Sequence, residues 1–312
     1  MTSASQSSDE IRHPAATTDR AFIIFNPTAG RRRRRRLTRA LARLAELGVS
    51  ATVRDTTAPG DARAFAAAAE GAGIVAVAGG DGTINEAVNG LIVRQGGPAL
   101  AIVPLGTANV LAAELGFPDM RPETAAEAIA AGDIRPICLG FANGRVFCQM
   151  AGIGFDAHVV AGVDVRMKRR IGKLAYVFET LRCLARYRPR YYAVEIDGVR
   201  YVAASAVIAN GHFYGGRYSC APDASLDVPV LKACLFLRAG RWHVLRYAFG
   251  LLTGRLYRYP DIAIHDAHRV RIVSLDADGE EEPVQGDGDI VTRLPVEITV
   301  APQRLAVVRP RR

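Results

Sequence analysis

Residues 73–91 read GIVAVAGGDGTINEAVNGL, so that an apolar run, a glycine-rich loop and an amphipathic segment follow one another directly. The apolar run is typical of a strand that is buried on both faces of a parallel sheet. After the loop, apolar residues recur at positions 84, 87, 88 and 91, which is helical spacing. This succession predicts a strand whose carboxyl end turns directly into a helix, the repeating unit of a doubly wound sheet.

The same alternation extends over the first part of the chain. Short apolar runs at residues 21–25, 50–54 and 100–103 each end in a turn, and helical patterns lie between the early runs. We therefore predict a Rossmann-like α/β domain with a parallel sheet at residues 20–135. Residues 1–19 are polar and charged and are predicted to form a disordered tail.

Strand-like runs dominate the second part, residues 136–301, and a single helical pattern interrupts them at about 168–187. This arrangement predicts an antiparallel β-sandwich domain. A return of the last residues, about 302–312, to the first domain is left open. The predicted strands are residues 145–150, 191–196, 201–209, 231–237, 270–273 and 296–300.

Composition and charge restrict the function only broadly. The 312 residues include 40 Lys and Arg against 31 Asp and Glu, a formal charge of +9 that suits anionic partners of several kinds. No stretch approaches the roughly 18 apolar residues that span a bilayer, and the start lacks the apolar core of a signal peptide. With five cysteines in no paired spacing, the chain is expected to be cytoplasmic.

The glycine loops favour a phosphate site. In an open parallel sheet ligands bind outside the carboxyl ends of the strands, where glycine lets the backbone approach a phosphate closely. Amide groups at the following helix start then point at the anion. Asp81 inside the loop suits Mg²⁺ held between a carboxylate and a polyphosphate. A plain tight turn is the alternative, and the Gly-Lys-Ser/Thr ending of a Walker loop is absent.

Six motifs occur in a characteristic order between residues 26 and 224, within a resemblance that covers nearly everything from residue 22 to residue 310. Together they resemble the diacylglycerol kinase catalytic domain, whose superfamily includes bacterial diacylglycerol kinases, sphingosine kinases and ceramide kinases. The resemblance implies a nucleotide domain, a β-sandwich domain and an active site in the cleft between them. The motifs are Asn26-Pro27-x-x-Gly30, GGDGTINE at 79–86, Pro104-x-Gly-Thr-Ala-Asn109, GIGFD at 152–156, Asn210-Gly211 with Tyr214-Gly215-Gly216, and APDA at 221–224.

The resemblance also implies the ATP contacts. Thr56 is included because it precedes Gly60 by four residues, as the family's threonine does, and Thr57 is the alternative. Asp81 would share the catalytic Mg²⁺ with the nucleotide, whereas Glu86 and Asn109 have helix capping as an alternative role. The implied contacts are Asn26, Pro27, Thr28, Ala29, Gly30, Thr56, Gly80, Asp81, Gly82, Thr83, Ile84, Asn85, Glu86 and Thr107.

Two acidic turns are candidates for the catalytic base, which the family carries as the last residue of an Asp-Gly-Glu turn. Asp278-Gly279-Glu280 matches the letters, whereas Asp287-Gly288-Asp289 matches the surroundings, with Leu294-Pro295 and a final strand after it. We favour Asp289 as the base and Asp287 as the residue that orients the site, and Glu280 is the alternative. In the simplest interpretation both triplets are β-turns and residues 280–282 form a solvated acidic loop.

The sequence departs from the family after residue 224. Many members carry an Asp that helps to hold a structural Mg²⁺ where this chain has Val228, followed by a second Asp where it has Lys232. Valine cannot ligate a hard cation and lysine repels one. We therefore expect the structural metal site to be missing, while the catalytic Mg²⁺ is a separate matter.

Two basic segments are consistent with a membrane partner. Residues 31–36 are six consecutive arginines at the start of a predicted helix, and the segment 168–190 combines basic residues with Ile171, Leu174, Phe178 and Leu181 at helical spacing. Anionic lipid is one interpretation of the first, and a solvated face is the other. The apolar residues of the second either pack on the β domain or meet a bilayer.

The functional hypothesis is an ATP-dependent lipid kinase that phosphorylates a hydroxyl of a diacylglycerol-, ceramide- or sphingoid-like membrane lipid. It would use Mg²⁺ and a carboxylate base and bind peripherally to the inner face of the membrane. Nucleic acid is not expected as a partner, because no recognition fold supports it, and a homodimer is left open. The alternatives are a soluble-substrate kinase related to NAD kinase and a non-catalytic nucleotide-binding membrane adaptor.

Overall fold

The first domain is built on a six-stranded sheet. The computed structural model describes residues 19–27, 31–94, 96–163, 174–276 and 281–311. The strands of this sheet are β1 (Arg20–Phe25), β2 (Ser50–Asp55), β3 (Ile74–Gly79), β4 (Ala99–Pro104), β5 (Ile134–Ile137) and β18 (Leu305–Val308). Their order is β2-β1-β3-β4-β18-β5; the first four pair in parallel, and β18 is parallel to β4 but antiparallel to β5. The chain thus returns to the first sheet after the second domain.

Helices cover the first sheet and bury apolar residues on it. Strands β3 and β4 are buried along their whole length, as expected for parallel strands that are covered on both faces. The periodic face of the first helix buries Leu37, Ala40 and Leu44 in the same core. The helices are α1 (Arg31–Glu46), α2 (Asp61–Ala67), α3 (Asp81–Leu91), α4 (Val110–Glu114) and α5 (Pro122–Ala131).

The second domain is a sandwich of two six-stranded antiparallel sheets, so the predicted fold class is confirmed. The strands are β6 (Gly140–Ala142), β7 (Arg145–Phe147), β8 (Met150–Ile153), β9 (Tyr192–Ile196), β10 (Val199–Ala203), β11 (Ser205–Ala209), β12 (Leu231–Phe236), β13 (Ile262–Ala267), β14 (Arg269–Ser274), β15 (Pro283–Gly286), β16 (Asp289–Arg293) and β17 (Val296–Val300). One sheet has the order β10-β9-β14-β17-β6-β7 and the other β13-β12-β11-β8-β15-β16.

Among the described residues, three helices accompany the sandwich: α6 (Phe155–Gly162), α7 (Leu174–Ala185) and α8 (Arg241–Leu252), with a short 3₁₀ turn at Leu256–Arg258. Only α7 was predicted, and the part of the predicted segment before residue 174 lies outside the described residues. Across the ranges that the structure describes, no helix is both long and apolar enough to span a bilayer.

Two predicted strands are wrong in one respect, because each divides between the two sheets. The run 145–150 becomes β7 in one sheet and β8 in the other, and the run 201–209 divides at Ala204 into β10 and β11. At the first division the N–H groups of residues 148–150 bind the Asp287 side chain instead of a neighbouring strand. An apolar run does not show where a chain passes from one sheet to the next, because the residues on both sides of the division are buried alike.

Candidate active site

The loops after β3 and β4 lie against each other at the carboxyl ends of the first sheet. A Cβ atom on Gly106 would lie 2.6 Å from the Cα of Gly80 and 2.6 Å from Oδ1 of Asn109, closer than real Cβ atoms approach. Only glycine at position 106 therefore allows this packing. Thr107, the predicted nucleotide contact beside it, is exposed at the same edge.

Asn26 connects the first loop to this pair. Its backbone N–H donates to the Ala78 carbonyl at 3.0 Å, and its side-chain Nδ2 donates to the Thr83 hydroxyl at 2.9 Å. Thr83 is buried in the first turn of α3. The first and second glycine loops therefore meet, as the sequence predicted, although residues 28–30 lie outside the described residues.

Asp81 binds the neighbouring loop directly. Its Oδ2 accepts the Asn109 N–H at 3.0 Å and its Oδ1 accepts the Val110 N–H at 2.7 Å, which caps the start of α4. Burial raises the pKa of the Asp81 carboxyl, and these N–H donors oppose the rise. Each carboxylate oxygen has a second lone pair, so these contacts leave capacity for a cation. The capping role was not predicted, because its partners are 28 and 29 residues further along the chain.

Three of the predicted nucleotide contacts also make contacts within the protein. Ile84 lies in the core of the first domain, and its N–H donates to the Gly80 carbonyl at 3.1 Å. Asn85 donates to Asp287 in the second domain at 2.8 Å. Glu86 accepts the Gly60 N–H at 3.0 Å and so connects α3 to the turn before α2. These contacts position the loop, and the assignment of the three residues to the nucleotide stays a prediction.

Thr56 and Thr57 differ in what they contact. The Thr57 hydroxyl donates to Oδ2 of Asp61 at 2.8 Å, and its N–H donates to the same oxygen at 2.7 Å. The Thr56 N–H donates to the Phe25 carbonyl at 2.8 Å, which places Thr56 directly at the carboxyl edge of the sheet. The local geometry therefore favours Thr56 over Thr57 as the residue that faces a bound nucleotide.

Asp287 connects the second domain to the glycine-loop side of the site. Its carboxylate accepts the N–H groups of Cys148, Gln149 and Met150 at 2.6 to 3.1 Å, in addition to the Asn85 amide. Removal from water raises the pKa of the Asp287 carboxyl, against the lowering effect of these four donors. With every donor pointing at the carboxylate, Asp287 holds the turn in place between the two domains.

Asp289, from the second domain, lies directly beside the second glycine loop. It is exposed at the start of β16, and its Oδ2 lies 3.2 Å from the place that a Cβ atom on Gly82 would take. Glycine at position 82 therefore leaves the space into which this carboxylate reaches. The other candidate, Glu280, lies outside the described residues.

A hydrogen-bonded chain behind this turn was not predicted from the separate motifs. The Gly288 N–H donates to Oε1 of Gln285 at 2.9 Å, and Nε2 of Gln285 donates to Asp156 at 2.7 Å. The Tyr214 hydroxyl donates to the other oxygen of Asp156. Burial, followed by the negative charge of Asp156, raises the pKa of Tyr214. Two quoted motifs, around residues 152–156 and 209–216, thus meet behind the acidic turn.

The arginines of α1 do not form a single free face. Arg36 donates to the Pro104 carbonyl at 2.8 Å and also to the Met120 carbonyl, so it supports the third glycine loop. Arg34 pairs with Asp55 and lies over the Phe25 ring. Arg32 and Arg35 are exposed. Both interpretations of the run, lipid contact and plain solvation, therefore apply to only part of it.

An ion pair occupies one of the two positions at which this chain lacks the aspartates expected for a structural Mg²⁺ site. Lys232 at that position donates to Oδ1 of Asp266 at 2.5 Å.

The apolar residues of α7 face solvent. Phe178 and Leu181 are exposed, so the interpretation that they pack on the β domain is wrong.

Comparisons with known proteins agree with this geometry. The model of the diacylglycerol kinase catalytic domain matches residues 20–142, and the YegS C-terminal NAD kinase beta sandwich-like domain matches residues 149–309. The chain belongs to the diacylglycerol kinase family. It is therefore a kinase, and family membership implies ATP as a substrate.

Relatives and solved structures span nearly the whole chain. The diacylglycerol kinase of Bacillus subtilis is 32% identical over 271 residues, which are 84% of this chain and 89% of that one. The diacylglycerol kinase of Mycobacterium tuberculosis is 30% identical over 282 residues, 87% of this chain and 89% of that one. A crystal structure of a diacylglycerol kinase from Bacillus anthracis superposes with a TM-score of 0.76 at 26% identity, covering 93% of this chain and 97% of that one.

Proposed function

We propose that the chain transfers the γ-phosphate of ATP to a hydroxyl of a membrane lipid of diacylglycerol, ceramide or sphingoid type. The observation that carries the proposal is the approach of Asp289, from the β-sandwich domain, to Gly82 in the glycine loop of the nucleotide domain. A carboxylate that reaches the phosphate loop from the opposite domain is suited to receive the proton of an acceptor hydroxyl held in the cleft.

In this scheme Asp289 is the general base and Asp287 is its positioning residue. The base must come within about 2.6 to 3.2 Å of the acceptor hydroxyl in the productive complex. Asp287 supports this by fixing the turn through three backbone N–H groups and Asn85. Phosphoryl transfer depends mainly on such positioning and on electrostatic stabilisation.

The nucleotide would bind along the carboxyl edge of the first sheet. Its phosphates would meet the start of α3, where helix N–H groups point outwards. Asp81 is suited to Mg²⁺ because its carboxylate is a hard oxygen donor with remaining lone pairs. When bound, the ion would neutralise charge on the phosphate oxygens. The proposed contacts are Asn26, Pro27, Thr28, Ala29, Gly30, Thr56, Gly80, Asp81, Gly82, Thr83, Ile84, Asn85, Glu86 and Thr107.

A soluble-substrate kinase is the second candidate, and one observation favours it: the matched model of residues 149–309 is described as NAD kinase-like. That likeness concerns the fold of the sandwich, which hosts more than one acceptor. The names of the two relatives above, both diacylglycerol kinases, favour the lipid acceptor. Because such an acceptor resides in a bilayer, we also propose peripheral binding at the inner face of the membrane.

The test is transfer of radiolabelled γ-phosphate from ATP to a panel of diacylglycerol, ceramide, sphingosine and NAD. We expect label in one of the three lipids and none in NAD. Label in NAD alone would support the soluble-substrate kinase. With no label in any of the four, although ATP binds, the proposal of a diacylglycerol, ceramide or sphingoid acceptor would be wrong.

A further inference from the structure

Helix α8 presents an apolar face to solvent. The exposed fractions are 73% for Trp242, 48% for Leu245, 62% for Phe249 and 62% for Leu252. At 3.6 residues per turn, these four positions fall within an arc of about 80° on the helix surface. A surface helix ordinarily turns its polar side outwards, so the pattern of α8 is inverted. Contiguous exposed apolar residues of this kind mark a binding surface.

The opposite side of α8 is fixed to the sandwich by polar contacts. Arg246 donates to both oxygens of Asp261, at 2.9 and 2.7 Å, and the Tyr247 hydroxyl donates to the same carboxylate at 2.8 Å. Arg246 also lies over the Tyr259 ring, 4.3 Å from its centroid. Gly250 allows that ring to approach, since a Cβ atom there would lie 2.7 Å from it. The helix therefore cannot turn its apolar face inwards without breaking these contacts.

The charge around α8 is positive, apart from that of Asp261, which Arg246 binds. Residues 233–260 include five arginines and neither Asp nor Glu. Arg246 is engaged by Asp261, whereas Arg238, Arg241, Arg255 and Arg258 are exposed. An apolar stripe flanked in sequence by exposed cations, with its one neighbouring carboxylate engaged by Arg246, complements the headgroups of an acidic bilayer.

A second helix extends this surface. Arg241, at the start of α8, donates to the Ala185 carbonyl at the end of α7 at 2.7 Å, and the Gly240 N–H donates to the Tyr187 hydroxyl at 3.2 Å. The neighbouring α7 exposes Val177, together with Phe178 and Leu181. Arg186, directly after α7, is exposed and has the same sign as the arginines of α8, whereas Arg182 within α7 is paired with the buried Glu179.

We propose that the outer face of α8 is a membrane-docking surface that lies in the boundary between headgroups and acyl chains of an acidic bilayer. This inference rests on the proposed function only in that the acceptor is a membrane lipid. Tryptophan favours this boundary because its ring is apolar and its N–H is polar. The four exposed arginines bind the lipid phosphates around it.

Trp242 is the single tryptophan of the chain, so its fluorescence reports on this face alone. The probe is a vesicle of phosphatidylcholine and phosphatidylglycerol, with all-phosphatidylcholine vesicles for comparison. We expect the emission of Trp242 to shift to shorter wavelength with the acidic vesicles and to be quenched by phosphatidylcholine brominated in the upper acyl chain. High salt weakens the effect, because it screens the arginines.

Variants distinguish binding through the outer face of α8 from nonspecific adsorption to vesicles. Phe249→Ser and Leu252→Ser should each reduce partition onto the acidic vesicles about tenfold, since each removes one large apolar side chain from the bilayer. Val93→Ser is the matched control, because Val93 is equally exposed but lies beyond α3 in the other domain. Its partition should equal that of the unaltered chain.

Two outcomes would overturn the proposal. In the first, the chain sediments with acidic vesicles while the emission of Trp242 stays that of a residue in water. In the second, the emission is already shifted in buffer and the sedimenting mass is twice that of the chain, so that a second copy covers the face. Phosphorylation of a short-chain diacylglycerol dissolved in buffer by the unaltered chain tests the proposed function separately.

Discussion

At the scale of single residues, Asp81 illustrates how one carboxylate can serve both structure and chemistry. It accepts the Asn109 and Val110 N–H groups and so holds the third glycine loop against the second. An amide at this position would keep one acceptor but turn an N–H₂ group towards a backbone N–H. Substitution by asparagine therefore affects the loop contact as well as any bound cation.

We predict that Asp81→Asn lowers transfer by at least about a hundredfold, on the scale of removing an electrostatic contribution to phosphoryl transfer, while unfolding stays cooperative. The lost contact should cost about 1 to 2 kcal/mol of unfolding free energy. Turnover as a function of Mg²⁺ concentration, together with urea unfolding, measures both effects.

Asp197→Asn is the matched control for that variant. Asp197 likewise accepts backbone N–H groups, from His268 and Arg269, but in a turn of the sandwich away from the cleft. It should lose stability without a change in Mg²⁺ dependence. Near-normal turnover of Asp81→Asn at saturating Mg²⁺ would contradict the metal role.

The residue types of the site could be predicted because their signals are local. Glycine at a strand end followed by a helix start is legible within about ten residues. The partners of Asp287 are not, because Cys148, Gln149 and Met150 lie more than 130 residues earlier in the chain. The sequence alone therefore indicated that Asp287 orients the site, but not what it binds.

At the scale of elements, Glu282 connects α6, β9 and β15. The simplest interpretation placed it in a solvated acidic loop, which is wrong for Glu282: its side chain is buried and contacts His158 at 2.6 Å, the Tyr192 hydroxyl at 3.0 Å, and Arg190. Burial alone would raise the pKa of Glu282, but these partners outweigh it and lower the pKa. A carboxylate whose pKa falls on folding stabilises the folded state only while it is charged.

We predict that Glu282→Gln lowers the unfolding free energy by about 3 kcal/mol at neutral pH, because it leaves Arg190 and His158 without their shared anion. The unfolded chain binds this proton more tightly, so the contribution is present above the ordinary glutamate pKa of 4.5 and is lost as pH falls through the lower pKa of the folded state. Urea unfolding of the unaltered protein and of the Glu282→Gln variant, at neutral and acidic pH, measures the difference in unfolding free energy.

The neighbouring Glu281→Gln is the control for this prediction, since Glu281 is exposed. It should change the unfolding free energy by no more than about 0.5 kcal/mol. A cost of Glu282→Gln that is the same at acidic and neutral pH would show that packing, instead of charge, accounts for the role of Glu282.

Elements were predictable where period and burial agree, as in β3 and β4. The strands that change sheet were not predictable, because the alternation of apolar and polar residues along the chain does not indicate which sheet a strand joins. Helix α8 was missed for a related reason: its apolar residues face outwards, so their spacing could not be assigned to a core.

At the scale of the whole molecule, side chains of the first domain bind backbone of the second. Asn89 on α3 exchanges two hydrogen bonds with Val146, at 3.0 and 3.1 Å, in the manner of a neighbouring strand. Glu114 at the end of α4 accepts the N–H groups of His212 and Phe213 at 3.0 and 2.9 Å. These contacts hold the two domains together, and with them the glycine loop and the acidic turn.

The order and class of the two domains could be predicted, because each rests on a run of similar elements. Their juxtaposition could not, since it depends on amide groups such as those of Asn85 and Asn89, which no pattern along the chain pairs with the second domain. The position of Asp289 opposite Gly82 is therefore the point at which the structure adds most to the sequence.

The most direct test of the account is the transfer rate of Asp289→Asn with diacylglycerol and saturating ATP. We predict a loss of about two to four powers of ten, the usual scale for a general base, with ATP affinity nearly unchanged. Asp289→Glu should stay active because it keeps a carboxylate at the turn, and Glu280→Gln should be nearly silent. If Glu280→Gln abolishes transfer while Asp289→Asn does not, Asp289 is not the base and the account of the site is wrong.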